Sequence, residues 1–152
     1  MPIPTLPEIE AAHSRIKPYI NATPILTSTS VNEIAGCSLF FKCENFQKVG
    51  AFKIRGAMNA ILSLSVDELK KGVCTHSSGN HAQAVALAAS IVGTKAYIVM
   101  PSNAPTVKFN AVKGYGATVI ECEPTLKARE KGVRELIENK GTVFIPPFDD
   151  YR

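Results

Sequence analysis

The second half of this chain alternates between short apolar runs and helical patterns, and that alternation admits few folds. Val73 to His76, Ala96 to Met100, Thr118 to Cys122 and Thr142 to Ile145 read as strands. Between them the apolar periodicity is helical over Asn80 to Val92, Thr106 to Tyr115 and Lys127 to Asn139. A glycine stands near the end of each helix (Gly93, Gly114 or Gly116, Gly141), as a helix stop signal requires. Strands separated by helices of this length build an α/β fold, an open parallel sheet with flanking helices and right-handed crossovers.

Ligands of such sheets sit outside the carboxyl ends of the strands. Two turns fall there, Ser77-Ser78-Gly79-Asn80-His81 and Pro101-Ser102-Asn103-Ala104-Pro105. The first is the more informative, because a strand feeds a small-residue turn that opens directly into a helix. Backbone N–H groups and hydroxyls then converge at the positive end of that helix, where an anion or a flat polar cofactor is the natural guest. The same residues also suit an ordinary turn and helix cap.

The first half is less regular. Pro7 to Tyr19 reads as a helix with Ile9, Ala12, Ile16 and Ile20 on one face, and Asn21 to Pro24 as a break. Ser28 or Ser30 caps a short helix through Ile34 that Gly36 closes. Ser38 to Cys43 is expected to be a strand, Gln47 to Phe52 a loop, and Lys53 to Leu64 a helix. Lys53 follows Gly50, Ala51 and Phe52, small and apolar neighbours that make it a candidate covalent nucleophile. The positive helix end and Arg55 both disfavour an ammonium there, which would improve the amine as a nucleophile. The aromatic ring of Phe52 offers a face for a flat cofactor. A plain surface lysine is the competing reading.

Composition narrows the class. With 152 residues, 45% of them hydrophobic, the chain can bury a real core, and no window approaches a membrane span. The start, Met1 to Pro7, lacks the basic-then-apolar order of a secretory signal. The net charge of +4 is spread, as in Lys127-Ala128-Arg129-Glu130-Lys131, and implies no nucleic-acid partner. Cys37, Cys43, Cys74 and Cys122 form no metal-ligand spacing and read as buried thiols in a reducing, cytoplasmic compartment. Neither a dinucleotide fingerprint nor a P-loop occurs, and no His, Asp or Glu spacing resembles a metal site.

Three ordered segments carry a family resemblance: Phe40-Phe41-Lys42-Cys43-Glu44-Asn45-Phe46-Gln47, Gly50-Ala51-Phe52-Lys53-Ile54-Arg55-Gly56-Ala57, and Ser77-Ser78-Gly79-Asn80-His81-Ala82-Gln83-Ala84. Thr23 to Leu26, Tyr97 to Pro101 and Gly114 to Ala117 add to them. The chain resembles the N-terminal half of the serine racemase and threonine (serine) dehydratase family, the fold-type II, tryptophan-synthase-β-like pyridoxal-phosphate enzymes.

The resemblance implies that Lys53 holds pyridoxal 5'-phosphate covalently, that Phe52 flanks its ring and that Asn80 hydrogen-bonds the ring hydroxyl. Ser77, Ser78, Asn80 and His81 would line the loop for the substrate carboxylate. Lys53 and Ser78 would work on opposite faces of the α-carbon of an amino-acid substrate. Racemisation of serine, and β-elimination from serine or threonine to a 2-oxo acid and ammonia, would follow. Ser28, Thr29, Lys48, Gln83, Lys108 and Tyr115 match positions that bind ATP at a subunit interface, while Val49 stands where a hydroxyl residue is common. Residues 1–65 would be a slice of the large cofactor domain, 66–147 the small domain, and 148–152 the start of the crossover back.

Members of this family run to about twice this length. The other half would supply the phosphate-binding glycine loop, a Mg/Ca site and the residue facing the pyridine nitrogen, and would complete a homodimer. Without it, apolar surface around Leu39, Phe40 and Phe41 is expected to lie exposed. Activity of the chain alone stays open at this point. The alternatives are a non-catalytic chain that pairs with a full-length homologue and a plain α/β module that binds a small anion.

Overall fold

The computed structural model describes residues 3–150. Met1, Pro2, Tyr151 and Arg152, which bound the first and last expected segments, lie outside the described residues. Helix α1 (Leu6–Ile16) starts where the Glu8 carboxylate reaches back to the Thr5 N–H at 2.7 Å. It tightens into a 3-10 turn over Lys17–Tyr19. Of its expected apolar face, Ile16 is buried and Ala12 and Ile20 are half-buried, but Ile9 is 55% exposed. Among the helices and strands, α1 packs chiefly against α3 (Lys53–Leu62), so little is left to cover its first turns.

A two-residue antiparallel ladder joins β1 (Ile25–Leu26) to β2 (Phe41–Lys42). Between them runs α2 (Thr29–Ala35), with Ser28 accepting from the Val31 N–H and Gly36 closing it. The strand expected over residues 38–43 contracts to Phe41–Lys42 for a physical reason. The Leu39 N–H is taken at 2.9 Å by the Asn32 side chain rather than by a neighbouring strand. Phe40 and Phe41 lie exposed, as expected, whereas Leu39 is half-buried.

A short helix absent from the sequence reading, α4 (Val66–Lys71), begins at a capping box. Glu68 N–H donates to the Ser65 hydroxyl at 3.3 Å, and Ser65 N–H donates back to the Glu68 carboxylate at 2.8 Å. The regular part then follows as β3 (Val73–His76), α5 (Asn80–Val92), β4 (Ala96–Pro101), α6 (Thr106–Gly114), β5 (Thr118–Cys122), α7 (Leu126–Lys140) and β6 (Val143–Phe144). These four strands form one parallel sheet in the order β5-β4-β3-β6.

The pleat divides the core between the two sheet faces. Val73, Ile98 and Met100 join Ile54, Met58, Ile61, Val85 and Val112 under α3, α5 and α6. Cys74 and Val99 face the other way, onto Val133 and Leu136 of α7. Helix α5 is buried on nearly every side, and its alanines let α3 and the sheet approach closely. Of the cysteines expected to be buried, only Cys74 is; Cys43 and Cys122 are half-buried and Cys37 is exposed. The cause for Cys37 and Cys43 is the thin packing around the β1–β2 ladder. No described helix is long and apolar enough to cross a membrane.

The chain runs β3, β4, β5 toward one edge and then returns to place β6 on the opposite side of β3. That reversal opens a crevice at the carboxyl ends of β3 and β6, the usual ligand position in such sheets. The Ser77–Asn80 turn leaves one of these ends and the segment after Ile145 leaves the other.

Candidate active site

Lys53 reaches this crevice from a strained turn. Val49 and Gly50 are consecutive residues with positive φ, at 58° and 65°. For a β-branched residue such as Val49 this backbone is unfavourable and persists only where its surroundings impose it. The buried Gln47 side chain does so: its carbonyl accepts from Asn21 N–H at 2.9 Å and Lys48 N–H at 3.0 Å. Its amide donates to Asn21 O at 2.8 Å. Two residues beyond Ala51, Lys53 opens α3.

The Lys53 side chain is half-buried beside a cleft of about 270 Å³, lined among others by Phe52, Ala57, His81 and the segment Ile145–Asp150. Its Nζ donates to the Pro147 carbonyl at 2.7 Å and lies 5.5 Å from the centre of the Phe52 ring, itself 59% exposed. His81, buried in the first turn of α5, places Nε2 3.1 Å from the Ile145 carbonyl. A carbonyl only accepts, so Nε2 carries the proton. Burial lowers the His81 pKa, the Ile145 bond opposes that, and the charges of Lys53 and His76 lower it further. The ring is therefore neutral and holds the strap after β6; it is not a free base.

Ser77 and Ser78 are half-buried and Asn80 is exposed, on the turn just before His81. Ser77 N–H donates to Val99 O, and the Ser77 hydroxyl accepts from Gly79 N–H at 3.3 Å. The first-turn N–H groups of α5 have no intrahelical acceptors, so this end can hold an anion. The structure thus gathers Lys53, Phe52 and His81 on one cleft, while Ser77, Ser78 and Asn80 do not line it. The ATP-matching residues are spread over several elements. Ser28 and Thr29 start α2, Lys48 lies in the 3-10 turn, Gln83 is buried in α5, Lys108 lies in α6, and Tyr115 follows α6. None of them lines this cleft.

Arg55, expected to act on Lys53 as a positive neighbour, grips Glu44 through its guanidinium with two 2.8 Å bonds. Thr23 adds a hydroxyl donor to the same carboxylate at 2.7 Å. The Arg55 hydrogen bond leads in holding the Glu44 pKa down at about 2, against a smaller opposing effect of burial. The Arg55 pKa is raised in turn. Arg55 is therefore half of a compensated pair.

Sequence reasoning missed both this pair and the strap, because each is a tertiary contact that no local periodicity encodes, 11 positions apart for Glu44 and Arg55 and 94 for Lys53 and Pro147. Only the motif Lys42-Cys43-Glu44-Asn45 and the doublet Pro146-Pro147 after the last strand signalled them. A second cavity, about 480 Å³, lies across the strap between His76, Glu130, Arg134, Ile137, Phe144 and Phe148. The His76 and Phe144 rings stack there at 5.8 Å. Among the described residues no three His, Cys, Asp or Glu side chains are grouped to hold a metal ion.

A parallel sheet with a lysine amine beside the cleft at its switch point defines an α/β domain with a ligand crevice at the carboxyl ends of its strands. The chain belongs to the pyridoxal-phosphate dependent enzyme family, whose match covers residues 16–152. It is 55% identical over 146 residues to a serine racemase of Dictyostelium discoideum, covering 96% of this chain and 45% of that protein. A β-hydroxyaspartate dehydratase of Paracoccus denitrificans is 48% identical over 152 residues, which is all of this chain and 48% of that protein. The crystal structure of the Dictyostelium discoideum serine racemase superposes with a TM-score of 0.92 at 55% identity, covering 96% of this chain and 48% of that one. The chain spans less than half the length of the curated relatives it matches.

Proposed function

We propose that this chain carries the lysine and the substrate-carboxylate loop of a pyridoxal-phosphate-dependent racemase and ammonia-lyase acting on serine. The reaction converts L-serine to D-serine, with β-elimination from serine or threonine to a 2-oxo acid and ammonia. The observation that carries the reading is the Lys53 amine, half-buried at the mouth of the switch-point cleft inside the family-matched region. The donor set suits the cofactor: a primary amine for its aldehyde, an exposed Phe52 ring for its flat face, and a helix start for an anion. When bound, pyridoxal phosphate supplies an electron sink for charge developing at the substrate α-carbon.

The chain's own residues do the rest. Lys53 holds the cofactor and moves the α-proton on one face, and the Ser78 hydroxyl serves the other face. Phe52 flanks the ring and Asn80 bonds the ring hydroxyl. Ser77, Asn80 and the first-turn N–H groups of α5 bind the substrate carboxylate. His81 bears on that loop through its bond to Ile145. Racemisation and elimination diverge from the same substrate, and a difference of about 1.4 kcal/mol in barrier changes their ratio tenfold.

Residues 1–65 are read as part of a cofactor domain, 66–147 as the small domain and 148–152 as the crossover. A cytoplasmic homodimer completes the proposal. In it Ser28, Thr29, Lys48, Gln83, Lys108 and Tyr115 contribute to a nucleotide contact between copies. No step is assigned to magnesium or calcium.

The test is an absorbance and circular dichroism titration with pyridoxal phosphate, run beside Lys53→Ala, followed by addition of L-serine. A saturable, optically active band that is missing in the variant, and serine-dependent D-serine and pyruvate, support the reading. A band identical in Lys53→Ala argues against it.

A further inference from the structure

Arg55 stands two residues after Lys53, on the same first turn of α3. Its partner Glu44 belongs to the turn that leaves β2, and Thr23, the third member, precedes β1. Lys42 Nζ donates to the Thr23 carbonyl at 3.2 Å and draws the same segments together. Three segments of the first half thus meet at one carboxylate. The geometry is not that of a loose surface ion pair. Both Arg55 contacts are 2.8 Å, a neutral donor completes the set, and the two side chains are only 25% and 21% exposed.

The start of α3 is therefore fixed from two directions. On one side the Gln47 side chain holds the strained Val49–Gly50 turn that delivers Phe52 and Lys53. On the other, Glu44 grips the turn through Arg55. Lys53 sits between these anchors, and no hydrogen bond links it to either; its own bond goes to Pro147 O. Its direction into the cleft depends on where the turn is held. We propose that Glu44 is a positioning residue for Lys53, acting through Arg55 to fix the helix turn that aims the amine at its carbonyl ligand. The proposal rests on the reading of Lys53 as the cofactor lysine.

The test compares the parent chain with Glu44→Gln, Arg55→Lys and the reversed pair Glu44→Arg with Arg55→Glu. Backbone amide hydrogen exchange is followed first, without cofactor. Expected in Glu44→Gln is at least tenfold faster exchange confined to residues 51–58, with β3, β4 and α5 unchanged. Arg55→Lys should fall between, and the reversed pair should restore protection. Pyridoxal phosphate is then trapped by borohydride, and optical activity per mole of lysine-bound cofactor is measured before reduction. Glu44→Gln should lose at least half of that signal while Lys53 is still labelled.

Unchanged exchange at residues 51–58 overturns the proposal. So does faster exchange spread evenly through the chain, or an unaltered optical signal per bound cofactor. If the parent chain is not labelled at Lys53, the functional reading fails instead, while the exchange comparison still decides whether Glu44 fixes the turn.

Discussion

Replacing Glu44 by glutamine removes a charge but keeps the shape, so its cost should depend on pH. In the folded chain the Glu44 carboxyl titrates at about 2 instead of its ordinary 4.5, chiefly because Arg55 is bonded to it. A group depressed in this way stabilises the fold fully above the unfolded value, and that stability is lost as pH falls toward the folded value. The depression corresponds to about 3 kcal/mol at ~1.36 kcal/mol per pH unit, an upper bound for a fixed pair. With side chains 25% and 21% exposed, solvent screening brings the expected loss to about 1.5–2 kcal/mol at pH 7.

The assay is urea unfolding of both proteins by far-ultraviolet circular dichroism at constant ionic strength. The parent should be more stable from about pH 5 upward, and the gap should shrink to less than half its neutral value by about pH 3. Differencing the two proteins removes the titration of every other carboxylate. An equal gap at pH 7 and pH 3 would refute the electrostatic reasoning. A gap below about 0.3 kcal/mol at pH 7 would show that the pair behaves as an ordinary exposed contact.

Three further outcomes are expected. Gly72→Ala should destabilise by about 2–4 kcal/mol, seen as a lower Tm, because φ is +86° and the new Cβ would meet the Lys95 carbonyl at 2.9 Å; an unchanged Tm would contradict this. Met58→Ala empties a fully buried site on α3, the helix that packs chiefly against α5, and should cost about 2–5 kcal/mol in denaturant unfolding. Ser78→Ala should suppress D-serine formation more than pyruvate formation when both are counted in one turnover assay. Equal suppression would remove Ser78 from the second face of the substrate.

The parallel sheet was legible because its signals are local. The helix expected over Asn80 to Val92 has those ends in the structure, and β3 and β5 match their expected spans. Continuous apolar runs mark strands buried on both faces, and a 3.6-residue period marks the helices between them. The first half was less legible, since its elements depend on contacts that periodicity does not encode. Ile9 stays exposed, and the strand over 38–43 yields to an Asn32 side chain. Helix α4, only six residues long, was signalled by its capping box alone.

At the site, Lys53 and the Ser77–His81 turn stood out by residue type. The strap that receives the Lys53 and His81 bonds lies more than sixty positions from either, too far for any local pattern. Arg55 shows the limit most clearly. Its charge was visible in the sequence, but the carboxylate that compensates it was not.

The most direct test is to reduce a mixture of the chain and limiting pyridoxal phosphate with borohydride, digest it, and locate the label by mass spectrometry. The expected result is one dominant, saturable label on Lys53, displaced by L-serine added before reduction. A label spread over exposed lysines such as Lys70 and Lys131 in proportion to their accessibility, with Lys53 unmarked, would contradict the assignment of the cofactor amine.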